Sequence, residues 1–398
     1  MGLAVTGAAV ARHLLASGVP VLAADDDPGP AVRERAGALG IRLVEAPTAE
    51  ALAELAAEVG LVVVSPGVPA GHPALSLAVP TVSEVELAGR LASARGLPMV
   101  AVTGTNGKTT VTTLVVQMLV AAGRRAVAAG NIGAPLVEAA AGEAEVVVAE
   151  VSSFQLALTE RFRPRVGLWL NVAEDHLDWH PSMAHYVEAK ARIWANQGAG
   201  DLAVANADDP VVMGRAVLAP AESLVTFGTV AGVADAGYRE VDGWLLTPGG
   251  EPILAVRDMW RALPHDRSNA LAACAAALAA GATLEACRSV LSTFPGLHHR
   301  VELVGEAGGV RWYDDSKATT PASVLAALAG FDSVVLIAGG RNKGLDLAAL
   351  AAGAERVRAV VAIGEAAAEV EAAFSGAGSG AAPGAAAGAE PGAAAGAA

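Results

Sequence analysis

Residues Met99–Thr110 read MVAVTGTNGKTT, an apolar β-branched run that breaks into a glycine loop ending in Lys-Thr-Thr. A buried strand, a tight loop and a helix opening at Lys108 together make a phosphate cradle. Gly104 and Gly107 free the loop, with Thr105 and Asn106 between them, to curl its N–H groups around phosphate oxygens. The positive end of the following helix faces the same anion. Lys108 brings a mobile charge to the outer phosphates, and Thr109, followed by Thr110, offers a hydroxyl to Mg²⁺. The general pattern asks for glycine at Val102, so the spacing here is a variant. A strand–turn–helix corner with a chance lysine is the plain alternative, and the joint presence of all these parts outweighs it. The loop predicts ATP and leaves its use open.

Other candidates stand where strands should end. Glu150 closes Val146–Ala149, a reasonable Mg²⁺ ligand position, with a helix-cap neighbour as the bland reading. Asn171-Val-Ala-Glu-Asp-His-Leu-Asp178 crowds acids and His176 at another strand exit, and a metal role is favoured for His176. Lys190 falls on the apolar stripe of Met183, Tyr186, Val187, Ile193 and Trp194. Burial would lower its pKa, and a neutral amine can add CO₂ to become an anionic ligand. From pattern alone, a lysine snorkelling to water is the preferred reading. Asn269, Arg300, the run Asp314–Thr319 and the turn Gly339–Gly344 supply further strand-end or helix-end groups.

These groups need elements to carry them. The 398 residues exceed one core and predict two or three α/β domains. Val19–Ala24, Ile41–Val44 and Leu61–Ser65 read as parallel strands of a first unit, 1–95. Its turn Gly2–Gly7 leads into a helix Ala8–Ser17 and is of dinucleotide type, although Ala4 replaces the middle glycine. A strand should precede that turn, so the first strand is expected to be missing or the start to be set too late. A second unit, 96–295, holds the phosphate loop, strands Val146–Val151, Val166–Asn171 and Leu202–Asn206, and a helix Ser268–Ala280. A third, 296–374, holds strands Val301–Val304, Val310–Tyr313, Ser333–Ala338 and Ala359–Ile363. The Gly/Ala tail 375–398 cannot build a core and is expected to be disordered. Net charge of −14 argues against a nucleic-acid surface. No run has the apolar density of a membrane span and no secretory signal opens the chain. Cys274 and Cys287 read as buried free thiols, so a cytoplasmic location is expected.

Taken together, Gly104–Thr110, Gly130–Gly133 (GNIG), Glu150–Leu156 (EVSSFQL), Asn171–Asp178 (NVAEDHLD), Lys190, Ser268–Leu271 (SNAL) and Asp315–Thr319 (DSKAT) resemble the Mur ligase family. The resemblance implies a Rossmann-like N-terminal domain, a central P-loop ATPase with a mainly parallel sheet, and a Rossmann-like C-terminal domain, incomplete here. The SSFQL and DSKAT runs favour the branch that joins D-glutamate to UDP-N-acetylmuramoyl-L-alanine by way of an acyl phosphate. The resemblance also implies two Mg²⁺ held by Thr109, Glu150, His176 and a carbamylated Lys190, which reverses the pattern-only reading of that lysine. Asn269, Arg300 and Asp315 match nucleotide-contacting positions. Lys317, Thr319 and Lys343 match residues near the glutamate, and Val5, Thr6, Asp25, Ser65 and Asn131 the UDP-sugar side. A monomer is expected. Family members continue into a Ser-Pro-Ala-type segment and a Phe that this chain lacks, so poor folding at both ends and weak or no ligase activity are expected. Folylpolyglutamate synthase is the enzymatic alternative, and a chain that only binds nucleotide the non-enzymatic one.

Overall fold

Short valine and alanine runs become strands, and the structure, a computed structural model describing residues 1–232, 236–342 and 344–375, sorts them into two units. The first spans Met1–Lys317 and the second begins at Ala318. In the first unit β1 (Leu22–Asp25) pairs in parallel with β2 (Arg42–Glu45), and β3 (Val62–Val64) with β4 (Thr81–Ser83). A nine-stranded sheet follows, built from β5 (Met99–Thr103), β6 (Ala126–Gly130), β7 (Val146–Glu150), β8 (Val166–Trp169), β9 (Leu202–Asn206), β10 (Ser223–Gly228), β11 (Tyr238–Val241), β12 (Trp244–Leu246) and β13 (Pro252–Ala255). Its order is β13-β12-β11-β10-β9-β8-β5-β7-β6. Every pairing from β6 across to β11 is parallel, and β12 and β13 close the edge as an antiparallel meander. The hairpin β14 (Glu302–Ala307) and β15 (Val310–Asp314) completes the unit. In the second unit β16 (Val334–Gly339) and β17 (Val357–Ile363) pair in parallel beside helices Pro321–Leu328 and Ala367–Ser375. The α/β class and the mainly parallel central sheet agree with the expectation.

All five residues of β5 are buried, as a strand covered on both faces requires. Helix Lys108–Ala121 sends Val111, Leu114, Val115 and Met118 into one face, together with helix Pro264–Ala279. Val85, Leu136, Leu156 and Trp194 fill the other. Each such side chain contributes about 1.5–3 kcal/mol of burial. From β5 the chain passes to β6 and β7 on one side, while β8 and β9 lie on the other. The crevice beyond the carboxyl end of β5 is therefore a topological switch point, where open α/β sheets bind ligands.

Several expected boundaries shift for local reasons. The first helix runs Val5–Ala16, so Val5 and Thr6 lie in its opening turn rather than ahead of it. β1 starts at Leu22 instead of Val19, because Pro20 has no N–H and the Val19 N–H donates to Leu14 O at the helix end. β4, β6 and β10 through β13 lie outside the strands expected from the sequence. Cys274 and Cys287 are buried free thiols, with Cys274 pushed up by its Cys287 hydrogen bond and by burial. No helix among the described residues is long and apolar enough to cross a membrane. The tail from residue 376 lies outside the described residues; Ser375 closes the last helix.

Glu84, a residue only 2% exposed, opens helix Glu84–Ala94, its carboxyl accepting a hydrogen bond from Val137 N at 2.6 Å. Burial raises its pKa to about 7. The folded state thus holds a proton that the unfolded chain has released, so this stability is full below about pH 4.5 and is lost as pH climbs through 7. The loss amounts to about 3 kcal/mol. Thermal melts from pH 5 to 8 should show a falling midpoint that Glu84→Gln flattens. An equally steep fall in the variant would assign the effect to other groups.

Candidate active site

Three adjacent strands deliver the chemistry-bearing residues to the switch point. In the β5–β7 register Val102 stands opposite Glu150, and in the β5–β8 register Thr103 stands opposite Trp169. The loop after β5, the carboxylate ending β7 and the segment after β8 therefore share one rim.

The loop is rigidly held. Gly104 (φ +158°) and Gly107 (φ +84°) take backbone conformations that suit glycine, and a Cβ on Gly107 would meet Asn269 Oδ1 at 2.6 Å. Asn171 Oδ1 accepts from Thr105 N at 3.0 Å and Asn106 N at 2.9 Å, while Asn171 Nδ2 donates to Asn106 O at 3.2 Å. The Thr105 hydroxyl lies 3.0 Å from the Tyr186 hydroxyl. Helix Lys108–Ala121 has no side-chain cap, so its first amides and dipole face the crevice. Lys108 Nζ donates to Gly104 O and Thr105 O, both at 2.9 Å, and its pKa is lowered chiefly by burial. Thr109 Oγ1 accepts from Arg300 Nη2 at 3.0 Å, and Asp315 Oδ1 accepts from Val301 N at 3.1 Å. Asn171→Ala should cost about 1–3 kcal/mol, because Asn106 N loses its acceptor and Asn106 O its donor, while Thr105 N keeps only the backbone carbonyl of residue 171 at 3.1 Å. The expected reading is a rise in KM for ATP of about tenfold with a smaller change in kcat; unchanged KM would sever Asn171 from the loop's shape.

Around this loop lie an acid and two bases. Glu150 is 2% exposed; its Oε1 accepts from Asn131 Nδ2 at 2.7 Å, and its Oε2 is buried with no hydrogen-bond partner among the described residues. Lys190 is 1% exposed, which overturns the snorkelling reading drawn from periodicity. The helix Met183–Ala191 turns its stem inward, and its Nζ donates to Gly104 O at 2.9 Å while standing 4.5 Å from the Tyr186 ring centre. Burial, then the charge of Lys108, pushes its pKa far below that of a free lysine. His176 sits at φ +56° with Nε2 3.3 Å from Asp175 Oδ2, and burial leads the lowering of its pKa.

Sequence reasoning gave no role to His180, which is fully buried with Nε2 2.9 Å from Ser153 Oγ and Nδ1 2.9 Å from His185 Nδ1. Burial, then His185, pushes its pKa down to about 4. Only its position four residues after His176 could have drawn notice. Away from the loop, the Gly2–Gly7 turn gathers Val5, Thr6, Asp25 and Ser65. Asp25 Oδ2 accepts from Leu3 N at 2.8 Å, and Ser65 Oγ donates to Gly2 O at 3.1 Å. Asn131 bonds to Glu150 rather than to that turn. Lys317 donates its backbone N–H to His299 O and leaves its side chain exposed. Thr319 is exposed in the second unit, and Lys343 lies outside the described residues.

A buried carboxylate oxygen with no donor is a ready ligand for a cation, so the rim fits Mg²⁺. Comparison with known proteins bears on the whole chain. Residues 102–277 match the Mur ligase middle domain, 299–393 the Mur ligase glutamate ligase domain, and 1–86 the MurD-like N-terminal domain of Mur ligases. The UDP-N-acetylmuramoylalanine--D-glutamate ligase of Frankia casuarinae is 44% identical over 94% of this chain and 80% of its own length. The enzyme of the same name from Trichlorobacter lovleyi is 43% identical over 93% and 84%. Among solved structures, UDP-N-acetylmuramate-alanine ligase from Thermotoga maritima shares the fold, with a TM-score of 0.58 at 21% identity, covering 95% of this chain and 88% of that one. With the phosphate loop, the strand-end acid and this likeness along nearly its whole length, the chain belongs to the Mur ligase family.

Proposed function

We propose that this chain is an ATP-dependent ligase that joins D-glutamate to UDP-N-acetylmuramoyl-L-alanine in peptidoglycan synthesis. The carrying observation is the 39–46% identity, over most of the chain, to relatives bearing that name, set on a crevice where Lys108, Glu150 and Lys190 converge around one phosphate loop. Both the attacking carboxylate and the γ-phosphate are anionic, so the site must first cancel repulsion. The amides opening helix Lys108–Ala121 and the Lys108 ammonium, once it leaves the loop carbonyls, do so and stabilise the charge on the phosphoryl group in flight. Bound Mg²⁺ would supply a further positive charge there. In this reading two ions are held by Thr109, Glu150, His176 and Lys190. The Lys190 amine adds CO₂, releasing one proton, to give a carbamate oxygen donor.

The carboxylate attack expels ADP and leaves an acyl phosphate. The D-glutamate amine attacks its carbonyl, phosphate departs, and an amide remains. Asn269, Arg300 and Asp315 would orient the nucleotide; Lys317, Thr319 and Lys343 the glutamate; and Val5, Thr6, Asp25, Ser65 and Asn131 the UDP sugar. A cytoplasmic monomer, with units at 1–95, 96–295 and 296–374, belongs to the same reading. Purified chain given ATP, Mg²⁺ and UDP-N-acetylmuramoyl-L-alanine should release phosphate only when D-glutamate is added, at whatever rate. Release that instead requires a folate acceptor, or that ignores D-glutamate, would overturn it.

A further inference from the structure

The backbone that delivers Arg300 to the phosphate loop is strained on both sides of it. His299 takes φ +63° and Val301 φ +47°, a left-handed conformation that costs a β-branched residue most. Between them, Arg300 Nη2 donates to Thr109 Oγ1 at 3.0 Å. The shape of this joint therefore sets where a guanidinium meets the helix that opens on the phosphate site. Such a joint persists only where its surroundings over-determine it. Here every backbone N–H and C=O of the joint is engaged. His299 N donates to Glu302 Oε2, Arg300 N to Leu297 O and Val301 N to Asp315 Oδ1, while His299 O accepts from Lys317 N.

The two remaining carbonyls are held by one side chain. Arg261 Nη1 donates to Arg300 O at 3.0 Å and to Val301 O at 2.6 Å. The rest of the same guanidinium grips Asp266, Nε donating to Oδ2 at 2.6 Å and Nη2 to Oδ1 at 2.8 Å. The Asp266 side chain is 1% exposed, so this is a forked, charge-assisted pair away from water. Asp266 stands in the first turn of helix Pro264–Ala279 and also accepts from Leu263 N at 3.3 Å, which fixes the carboxylate. Arg261 is anchored in turn through Trp260, whose N–H donates to Leu291 O and whose indole meets the Phe294 ring edge-on. Stability alone explains such a pair poorly, since apolar side chains of similar volume serve a core as well. What apolar side chains cannot do is hold two carbonyls of a strained joint.

We propose that Arg261 is a positioning residue for the nucleotide site: held by Asp266, it fixes the joint 299–301 and so aims Arg300 at the phosphates beside Thr109. The inference rests on the ATP reading of the loop and deepens it. Arg261 acts through Arg300. Lysine cannot replace it, because a single ammonium lacks the planar fork that spans a carboxylate and two carbonyls.

The test measures ATP binding by calorimetry, with Mg²⁺ and no acceptor, on the full chain, Arg261→Lys, Arg300→Ala and the double variant. Arg261→Lys keeps a positive charge against Asp266, so its Tm should stay near the parent's while its Kd for ATP rises about tenfold. In the Arg300→Ala background the same change should add less than about twofold, because its route is already cut. If the lysine variant fails to fold, the neutral pair Arg261→Gln with Asp266→Asn strands no buried charge and carries the same expectation. Losses that multiply in the double variant, an unchanged Kd, or a loss of affinity that only follows a fall in Tm would overturn the proposal. A parent that binds ATP yet turns over no D-glutamate would overturn the ligase reading and leave this comparison standing. A parent that binds no ATP would overturn both.

Discussion

Lys190→Met should lower kcat by about 10²–10³-fold while leaving the melting temperature unchanged or raised. The side chain is 1% exposed, and its amine has one hydrogen bond, to Gly104 O at 2.9 Å, and the face of Tyr186. Methionine fills nearly the same volume without an amine to desolvate, so packing survives. A purely structural lysine would show the opposite pattern: loss of the Gly104 anchor would lower Tm and spare most of the turnover. The amine's folded pKa lies well below that of the unfolded lysine. Between those two values the unfolded chain binds the extra proton, so this contribution to stability grows as pH rises toward about 10.4. Lys190→Met should remove that slope. On the proposed carbamate reading the neutral amine would take up CO₂, so protein stripped of CO₂ should regain activity on adding bicarbonate, faster at higher pH. Activity within tenfold of the parent in the methionine variant would end the ligand reading of Lys190.

Local patterns made the phosphate loop, Glu150 and the strand exits legible, because each depends on residues close in sequence. The β-branched run before Gly104 predicts a buried strand, and a buried strand fixes where its loop must emerge. Lys190 shows the limit of periodicity. An apolar stripe says which face of helix Met183–Ala191 turns inward, but a long side chain can bury its head or carry it to water. The outcome depends on what lies across the gap, here Gly104 O, 86 residues away. Asn171 opens a quoted run but received no role of its own, for a related reason. Its part in shaping the loop follows from the register of β8 on β5, which is a property of the assembled sheet. The same holds for Glu84, whose partner Val137 N belongs to a neighbouring helix 53 residues on. The antiparallel meander β11–β13 carries no ligand group, and its short strands lack the length that periodicity needs.

Glu150→Gln should cost about 10²–10³-fold in kcat, and its effect on stability should reverse sign with Mg²⁺. One oxygen of the carboxylate is satisfied by Asn131 at 2.7 Å, which an amide oxygen can replace. The other is buried with no donor, a costly state for an anion. Without metal, glutamine removes that charge, so the variant should melt at the parent's temperature or above it. With Mg²⁺ the parent gains binding energy that the unfolded chain cannot, about 2.7 kcal/mol at a hundredfold excess over Kd. The variant, with no anionic oxygen at that point, should gain little. Melts with and without Mg²⁺, nucleotide being absent from both, separate this from any effect on ATP. If Mg²⁺ raises both proteins equally, the cation is held elsewhere and the unpartnered oxygen of Glu150 needs another explanation. If it raises the parent alone, the strand-end carboxylate is the group that ties the metal to the loop beside it.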